Sequence, residues 1–222
     1  MGIIEHSSFA RAKAKRLFRV AGITTLVAIA AAGVAWANEP ARLYGGIFAF
    51  FVIAFAAQVF TRGFNAWLGQ SGEDRTSKTL SSLSDDYTLI RNLQLGEKLG
   101  DIDFVLLGPF GALVLEQKTN TVPMRCQGDN WSYQVKPTYW KRVKSYSRQL
   151  KKNVNAVERL IKAPCYGAIV FNNGVELTVS EPTVEIICRK DLLKHIQTLP
   201  TKNYSAEKLT TTLGAKPRKL AA

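Results

Sequence analysis

The chain has 222 residues, 46% of them hydrophobic, and a formal net charge of +13. That length suits one ordinary domain plus a small appendage, and the excess of Lys and Arg suits a polyanionic partner, either nucleic acid or an anionic membrane surface. The three cysteines, Cys126, Cys165 and Cys188, lie far apart with no Cys-x-x-Cys spacing, and the histidines are His6 and His195 alone, which argues against a disulfide framework, a Cys/His zinc site and a His-based triad.

Residues 1–17 form a basic N-terminal segment with Arg11, Lys13, Lys15 and Arg16. Two apolar runs follow. Phe18 to Ala37 carries only Arg19 as a charge, and Leu43 to Phe60 carries none. As helices rising about 1.5 Å per residue, each is long enough to cross a hydrocarbon core ~30 Å thick. Asn38-Glu39-Pro40-Ala41-Arg42 reads as a polar turn between them, where Pro40 breaks a continuous helix. The cations before the first run and Arg62 after the second place both ends on the cytoplasmic side of an inner, multi-pass membrane protein. A cleaved signal sequence ending near Ala35-Trp36-Ala37, and a buried hairpin of a soluble protein, are the competing readings. Ala28, Ala32, Gly33, Gly45, Gly46, Ala49 and Ala54 offer small surfaces for helix contact.

Residues 62–71 read as a juxtamembrane linker, and 72–200 as a globular α/β (α+β) domain. Its predicted elements, in order, are a short helix over Glu73 to Leu83 and strands over Tyr87 to Leu95, Ile102 to Leu107, Ala112 to Lys118 and Trp131 to Val135. A long helix over Thr138 to Ile161 follows, with Trp140, Val143, Leu150, Val154, Val157 and Ile161 as its buried stripe. Strands over Tyr166 to Phe171 and Val184 to Cys188 and a short helix over Asp191 to Leu199 complete the domain, and 201–222 holds a short helix over Ser205 to Leu213 and a basic tail.

The chemistry concentrates around Gly108-Pro109-Phe110-Gly111. If Pro109 and Phe110 turn a tight hairpin, pairing outward sets Asp103 opposite Glu116 and Asp101 opposite Lys118, with Glu116 and Lys118 on one face. Facing carboxylates repel and lose hydration when buried. A hard divalent cation relieves both problems, since Mg²⁺ binds through one or two carboxylates, water and substrate phosphate. The plainer alternative is a surface Asp101–Lys118 pair with Asp103 and Glu116 solvated.

The run from Asp103 to Lys118, an Asp, an apolar strand, a Gly-containing turn, a second apolar strand and Glu-x-Lys, resembles the core of the PD-(D/E)xK nuclease superfamily. More narrowly, it resembles the nuclease-related domain, NERD. Gly72-Glu73 matches that family's Gly-Glu pair opening the preceding helix, and Gln149 matches the Gln of its later helix. The likeness extends over roughly Gly72 to Leu199. It implies a restriction-endonuclease-like α-β-β-β-α-β core with a mixed sheet and a nuclease using Mg²⁺ or Mn²⁺. It further implies metal ligation by Asp103, Glu116, Glu73 and the Gln117 carbonyl, a catalytic Lys118, and a positioning or substrate-contact role for Gln149. The usual Pro before the motif Asp is missing, and only Pro137 represents the Pro-rich stretch before the Gln helix.

Lys141, Lys144, Arg148, Lys151 and Lys152 are candidates for tracking a phosphate backbone from the predicted long helix, with nearby aromatic residues available to stack on bases. A solvated basic face, or one held against anionic lipid, is the alternative. The resulting expectation is a DNA nuclease held at the bilayer by two transmembrane helices, or else a catalytically inactive module of the same fold that binds nucleic acid or protein.

Overall fold

A computed structural model describes residues 1–5, 9–37, 40, 42–95 and 101–214. The expected polar turn lies largely outside these residues, as do His6, the Gly-containing turn after Leu95 and the basic tail. Contacts divide the chain into two units: Ser8–Ser71, and a globular unit of Met1–Ser7 with Gly72–Ala222.

The first unit holds helix α1 (Phe9–Ala37) and most of α2 (Arg42–Leu80). Their apolar stretches fit a membrane crossing by length and hydropathy, and only 11% of one window and 17% of the other is buried. The buried positions include small residues seven apart, Ala14, Ala21 and Ala28 on α1 and Ala49 and Ala56 on α2, together with Val59. The expected contacts at Gly33 and Gly46 do not form among the described residues, none of which lies within 4 Å of where their Cβ atoms would be. The hydroxyls of Thr24 and Thr25 donate to the carbonyls of Val20 and Ala21 at 2.9 Å, so neither needs a partner outside its own helix. The stretch expected as a linker, 62–71, is helical, and the helix expected from Glu73 continues it rather than starting afresh. α2 runs unbroken to Leu80, because 62–71 contains no Pro and Gly72 is tolerated within the helix.

The globular unit is built on a mixed six-stranded sheet in the order β1-β2-β3-β4-β8-β10. These strands are β1 (Gly2–Glu5), β2 (Thr88–Gln94), β3 (Asp101–Gly108), β4 (Gly111–Lys118), β8 (Cys165–Phe171) and β10 (Glu185–Cys188). β2, β3 and β4 form an antiparallel meander, whereas β8 runs parallel to β4 and β10 parallel to β8. β1 joins the far edge parallel to β2, so the N-terminal residues belong to the sheet rather than to a free basic segment. The hairpin turn requires glycine at Gly111. Its φ is +109°, and a Cβ there would lie 2.4 Å from the Pro164 carbonyl oxygen.

A second, four-stranded sheet is inserted after β4 and ordered β7-β6-β5-β9. It comprises β5 (Met124–Gln127), β6 (Asn130–Lys136), β7 (Tyr139–Val143) and β9 (Leu177–Ser180). The predicted helix from Thr138 is therefore shorter. Residues 139–143 are aromatic and β-branched enough to extend as β7, and α3 (Tyr146–Ile161) starts only where Ser145 caps it by accepting the Arg148 N–H. Trp140 and Val143 leave the helical stripe; the buried side of α3 is Ser147, Leu150, Asn153, Val157 and Ile161.

One face of the main sheet is covered by α3, α5 (Ala206–Thr212) and the second sheet through Met124, Cys126, Trp131, Leu150 and Leu209. The other face packs Phe104, Leu106, Leu113 and Leu115 against Leu80 of α2 and Leu192 and Ile196 of α4 (Leu192–Gln197). Continuous apolar runs in β3 and β4 follow from burial on both faces.

Candidate active site

The β3–β4 ladder runs from Gly108–Gly111 to Phe104–Leu115 and stops there. Beyond that point the strands keep their outer partners: β3 continues with β2 to Asp101–Gln94, and β4 continues with β8 to Lys118–Phe171. The two strands therefore part where Asp103 and Glu116 were expected to face each other. Asp103 turns its Oδ2 to the Gln117 amide, which donates at 2.8 Å. Asp101 does not meet Lys118; its Oδ1 accepts from Gln94 Nε2 at 3.0 Å.

Glu116 is the centre of the cluster and is only 2% exposed. Its Oε1 accepts from Lys118 Nζ at 2.7 Å and from Gln149 Nε2 at 2.7 Å. Asn153 Nδ2 stands 3.5 Å from its Oε2. Gln149 and Asn153 are one turn apart on α3, so a single helix supplies both amides. Alternation along β4 puts Lys118 beside Glu116, as expected.

Gln117 is held from the opposite side. Thr76 Oγ1 donates to its Oε1 at 2.6 Å, and its Nε2 donates to Asn172 Oδ1 at 3.3 Å, which also accepts from Arg189 Nη1 at 2.8 Å. Gly72 matters here through close approach, not as the start of a helix. A Cβ on it would come 2.2 Å from Thr119 Cγ2, so glycine lets α2 settle against the end of β4. The next residue, Glu73, is thereby carried to the cluster.

Burial acts on two of the carboxyls, Glu73 and Asp103, and each also feels the charge of Glu116. Glu73 is pushed from 4.5 to about 7, first by burial and then by Asp74, Glu5 and Glu116, against the pull of Arg91. Burial, Glu116 and Glu73 drive Asp103 well above its ordinary range, while Lys118 and the Gln117 amide oppose the shift. Arg91 Nη2 donates to Asp74 Oδ1 at 2.7 Å.

Among the described residues, no three Asp, Glu, His or Cys side chains close into a ready-made metal cage. The donor set nonetheless fits a hydrated hard cation, which needs one or two carboxylates and keeps its waters. Mutually repelling, desolvated acids favour such an ion. Asn153 Oδ1 beside them is buried without a hydrogen-bond partner, an acceptor that a water of the ion's shell would suit.

The basic residues do not form one helical face. Lys141 lies on β7 and Lys144 precedes α3, while Lys151 Nζ and Arg148 Nε pair with Asp129 at 3.1 and 3.8 Å. Asp129 also accepts from the Thr183 hydroxyl. Of the residues expected at the site, Asp103, Glu116, Lys118 and Gln149 converge, Gln117 is anchored beside them, and Glu73 is coupled to them by charge. Sequence reasoning missed Asn153, although a polar residue on the apolar stripe of α3 is the signal that marks it. Thr76, Asn172 and Arg189 carry no such local mark.

Residues 68–172 match the family model described as the nuclease-related domain, NERD. No curated protein and no solved structure matches the chain.

Proposed function

We propose that this chain, whose residues 68–172 match the nuclease-related domain family, is a membrane-anchored, Mg²⁺- or Mn²⁺-dependent nuclease that hydrolyses phosphodiester bonds in DNA at the cytoplasmic face. The observation that carries the reading is the gathering of Asp103, Glu116 and Lys118 where β3 and β4 part. Asp103 and Glu116, with Glu73 and the Gln117 carbonyl, are the groups that would hold the ion. When bound, such an ion polarises the phosphodiester and lowers the pKa of an attacking water.

The chain's own side chains do the rest. Glu116 holds the Lys118 ammonium at 2.7 Å, ready to stabilise the negative charge that develops on the attacking water and on phosphorus. Gln149 fixes the Glu116 carboxylate by its 2.7 Å hydrogen bond, a positioning role. The amide of Gln117 orients Asp103 in the same way. Lys141, Lys144 and Lys152, with the Asp129-paired Arg148 and Lys151, supply positive charge toward the phosphate backbone.

The anchoring part of the reading is supported by α1 and α2, whose large apolar side chains stay exposed, Ile23 at 62% and Phe51 at 65% among them. A buried core hairpin would not leave them so. The pairing of β1 with β2 in one sheet and the basic flank of α1 support a topology with both ends of the hairpin on the same side.

One observation favours a second reading, a module that binds nucleic acid without cleaving it: both Glu116 oxygens already face side-chain amides or an amine. A cleavage assay decides. Full-length protein in nanodiscs, given single- and double-stranded DNA and RNA, should cleave only with Mg²⁺ or Mn²⁺ and prefer DNA. Asp103→Ala and Lys118→Ala should be folded and cleave about 10³-fold more slowly. Metal-independent cleavage, or cleavage unchanged in both variants, would overturn the assignment. The full chain is the right object, because a fragment from Gly72 lacks β1.

A further inference from the structure

Lys118 has a second neighbour besides Glu116. Its Nζ lies 4.3 Å from the centroid of the Tyr146 ring, and its side chain is only 16% exposed. A lysine ammonium on a four-carbon stem is ordinarily the most mobile cation available to a site. Here it is bracketed by a carboxylate at 2.7 Å on one side and an aromatic face on the other.

The ring itself is held firmly. Tyr146 opens α3 directly after the Ser145 cap. It packs on Trp131 of β6 with centroids 5.0 Å apart, and the Trp131 indole Nε1 donates to Ser147 Oγ, on the residue after Tyr146, at 2.8 Å. Trp131 in turn stacks on Phe171 at 5.7 Å, and Phe171 is the strand partner of Lys118 itself. The sequence of contacts from Lys118 through Tyr146, Trp131 and Phe171 therefore closes back on β4. It also gives the inserted second sheet a purpose at the site, since β6 supplies the tryptophan that backs the ring.

We propose that Tyr146 is a positioning residue for Lys118, its ring face seating the ammonium between the parted strands so that it is aimed at the reacting phosphate. This deepens the nuclease reading and rests on it. The ring, not the phenol hydroxyl, carries the effect, because the attraction comes from the quadrupole of the aromatic face. Ser147 and Trp131 act one step further out by fixing that ring.

The test uses full-length protein in nanodiscs with lysines reductively dimethylated with ¹³C, a modification that keeps the charge. The Lys118 resonance, assigned by its loss in Lys118→Arg, should be displaced upfield by the Tyr146 ring. It should stay displaced in Tyr146→Phe and move among the exposed lysines in Tyr146→Leu. In steady-state cleavage with unmodified protein, Tyr146→Leu should lower kcat about tenfold with little change in KM, as the loss of one cation–π contact implies. Tyr146→Phe should stay close to wild type, and Tyr146→Leu should add nothing in a Lys118→Met background. An undisplaced Lys118 resonance in the wild type overturns the proposal. So does Tyr146→Phe as damaging as Tyr146→Leu, or a full additional loss on top of Lys118→Met. If the wild type does not cleave at all, the nuclease reading fails, and the resonance still reports whether the ring seats the ammonium.

Discussion

At its turn, the β3–β4 hairpin is sealed. Gly108 pairs with Gly111, Pro164 caps the bend through the Ala112 amide at 3.0 Å, and each residue from Phe104 to Leu107 has a strand partner in β4. At its open end the same two strands separate, and the residues that follow are Asp103, Glu116, Gln117 and Lys118. One end satisfies its backbone within the sheet and is lined by apolar side chains. The other leaves the Gln117 amide free to bind a carboxylate and brings Glu116 near Asp103, whose carboxyl burial makes reluctant to ionise. The contrast teaches where chemistry can live on a buried sheet. A laddered pair buried on both faces stabilises the fold, and only where the ladder ends is there room for groups that oppose one another.

The contrast can be broken from either end. At the open end, Lys118→Ala or Glu116→Gln should cut metal-dependent cleavage by about 10³-fold, with a thermal unfolding midpoint near that of the wild type. At the closed end, Gly111→Ala should do the reverse. It forces a side chain into a positive φ and against a main-chain oxygen, destabilising the domain by about 3 kcal/mol in chemical denaturation, with the turnover of still-folded molecules preserved.

Smaller perturbations sharpen the picture. Gln149→Ala releases one of the two donors on Glu116 Oε1 and should weaken Mn²⁺ affinity about tenfold, as the loss of an orienting partner does. A change in KM for DNA alone would instead make Gln149 a substrate contact. The smallest effect is the pH dependence set by Glu73, whose pKa is raised from 4.5 to about 7. The folded, metal-free state holds that proton more tightly than the unfolded chain. Stability from this group is therefore full below about pH 4.5 and declines as pH rises through about 7. Unfolding measured with a chelator should show that decline, and Glu73→Gln should flatten it. Cation binding competes with the same proton, so Mn²⁺ affinity should rise between pH 6 and pH 8 in the wild type and less in Glu73→Gln.

Much of this organisation is legible in the sequence because local physics sets it. The apolar runs around Gly108 and Gly111 identify β3 and β4, and counting from the turn brings Asp103 and Glu116 to the same level. Where the ladder stops is not legible, since that depends on which outer neighbour each strand keeps. β7 was hidden because Trp140 and Val143 happen to fall in helical spacing with Leu150, and the Ser145 cap that separates the two elements outweighs that periodicity. β1 carries no local signal that it pairs with β2, because a whole helical hairpin lies between them. Gly72 suggests a helix boundary by propensity, yet α2 passes through it because Thr119 leaves space for nothing larger. Tyr146 reads as one more aromatic near a basic segment until the fold brings it over Lys118.

The most direct test of the account is a Mn²⁺ titration of the full-length protein at pH 7.5, followed by electron paramagnetic resonance, beside the Asp103→Asn/Glu116→Gln double variant. One strongly bound ion per chain in the wild type, absent from the double variant while its fold persists, is the predicted result. A wild type that binds no Mn²⁺, or a double variant that binds it equally well, would contradict the claim that the parted strands form a cation site.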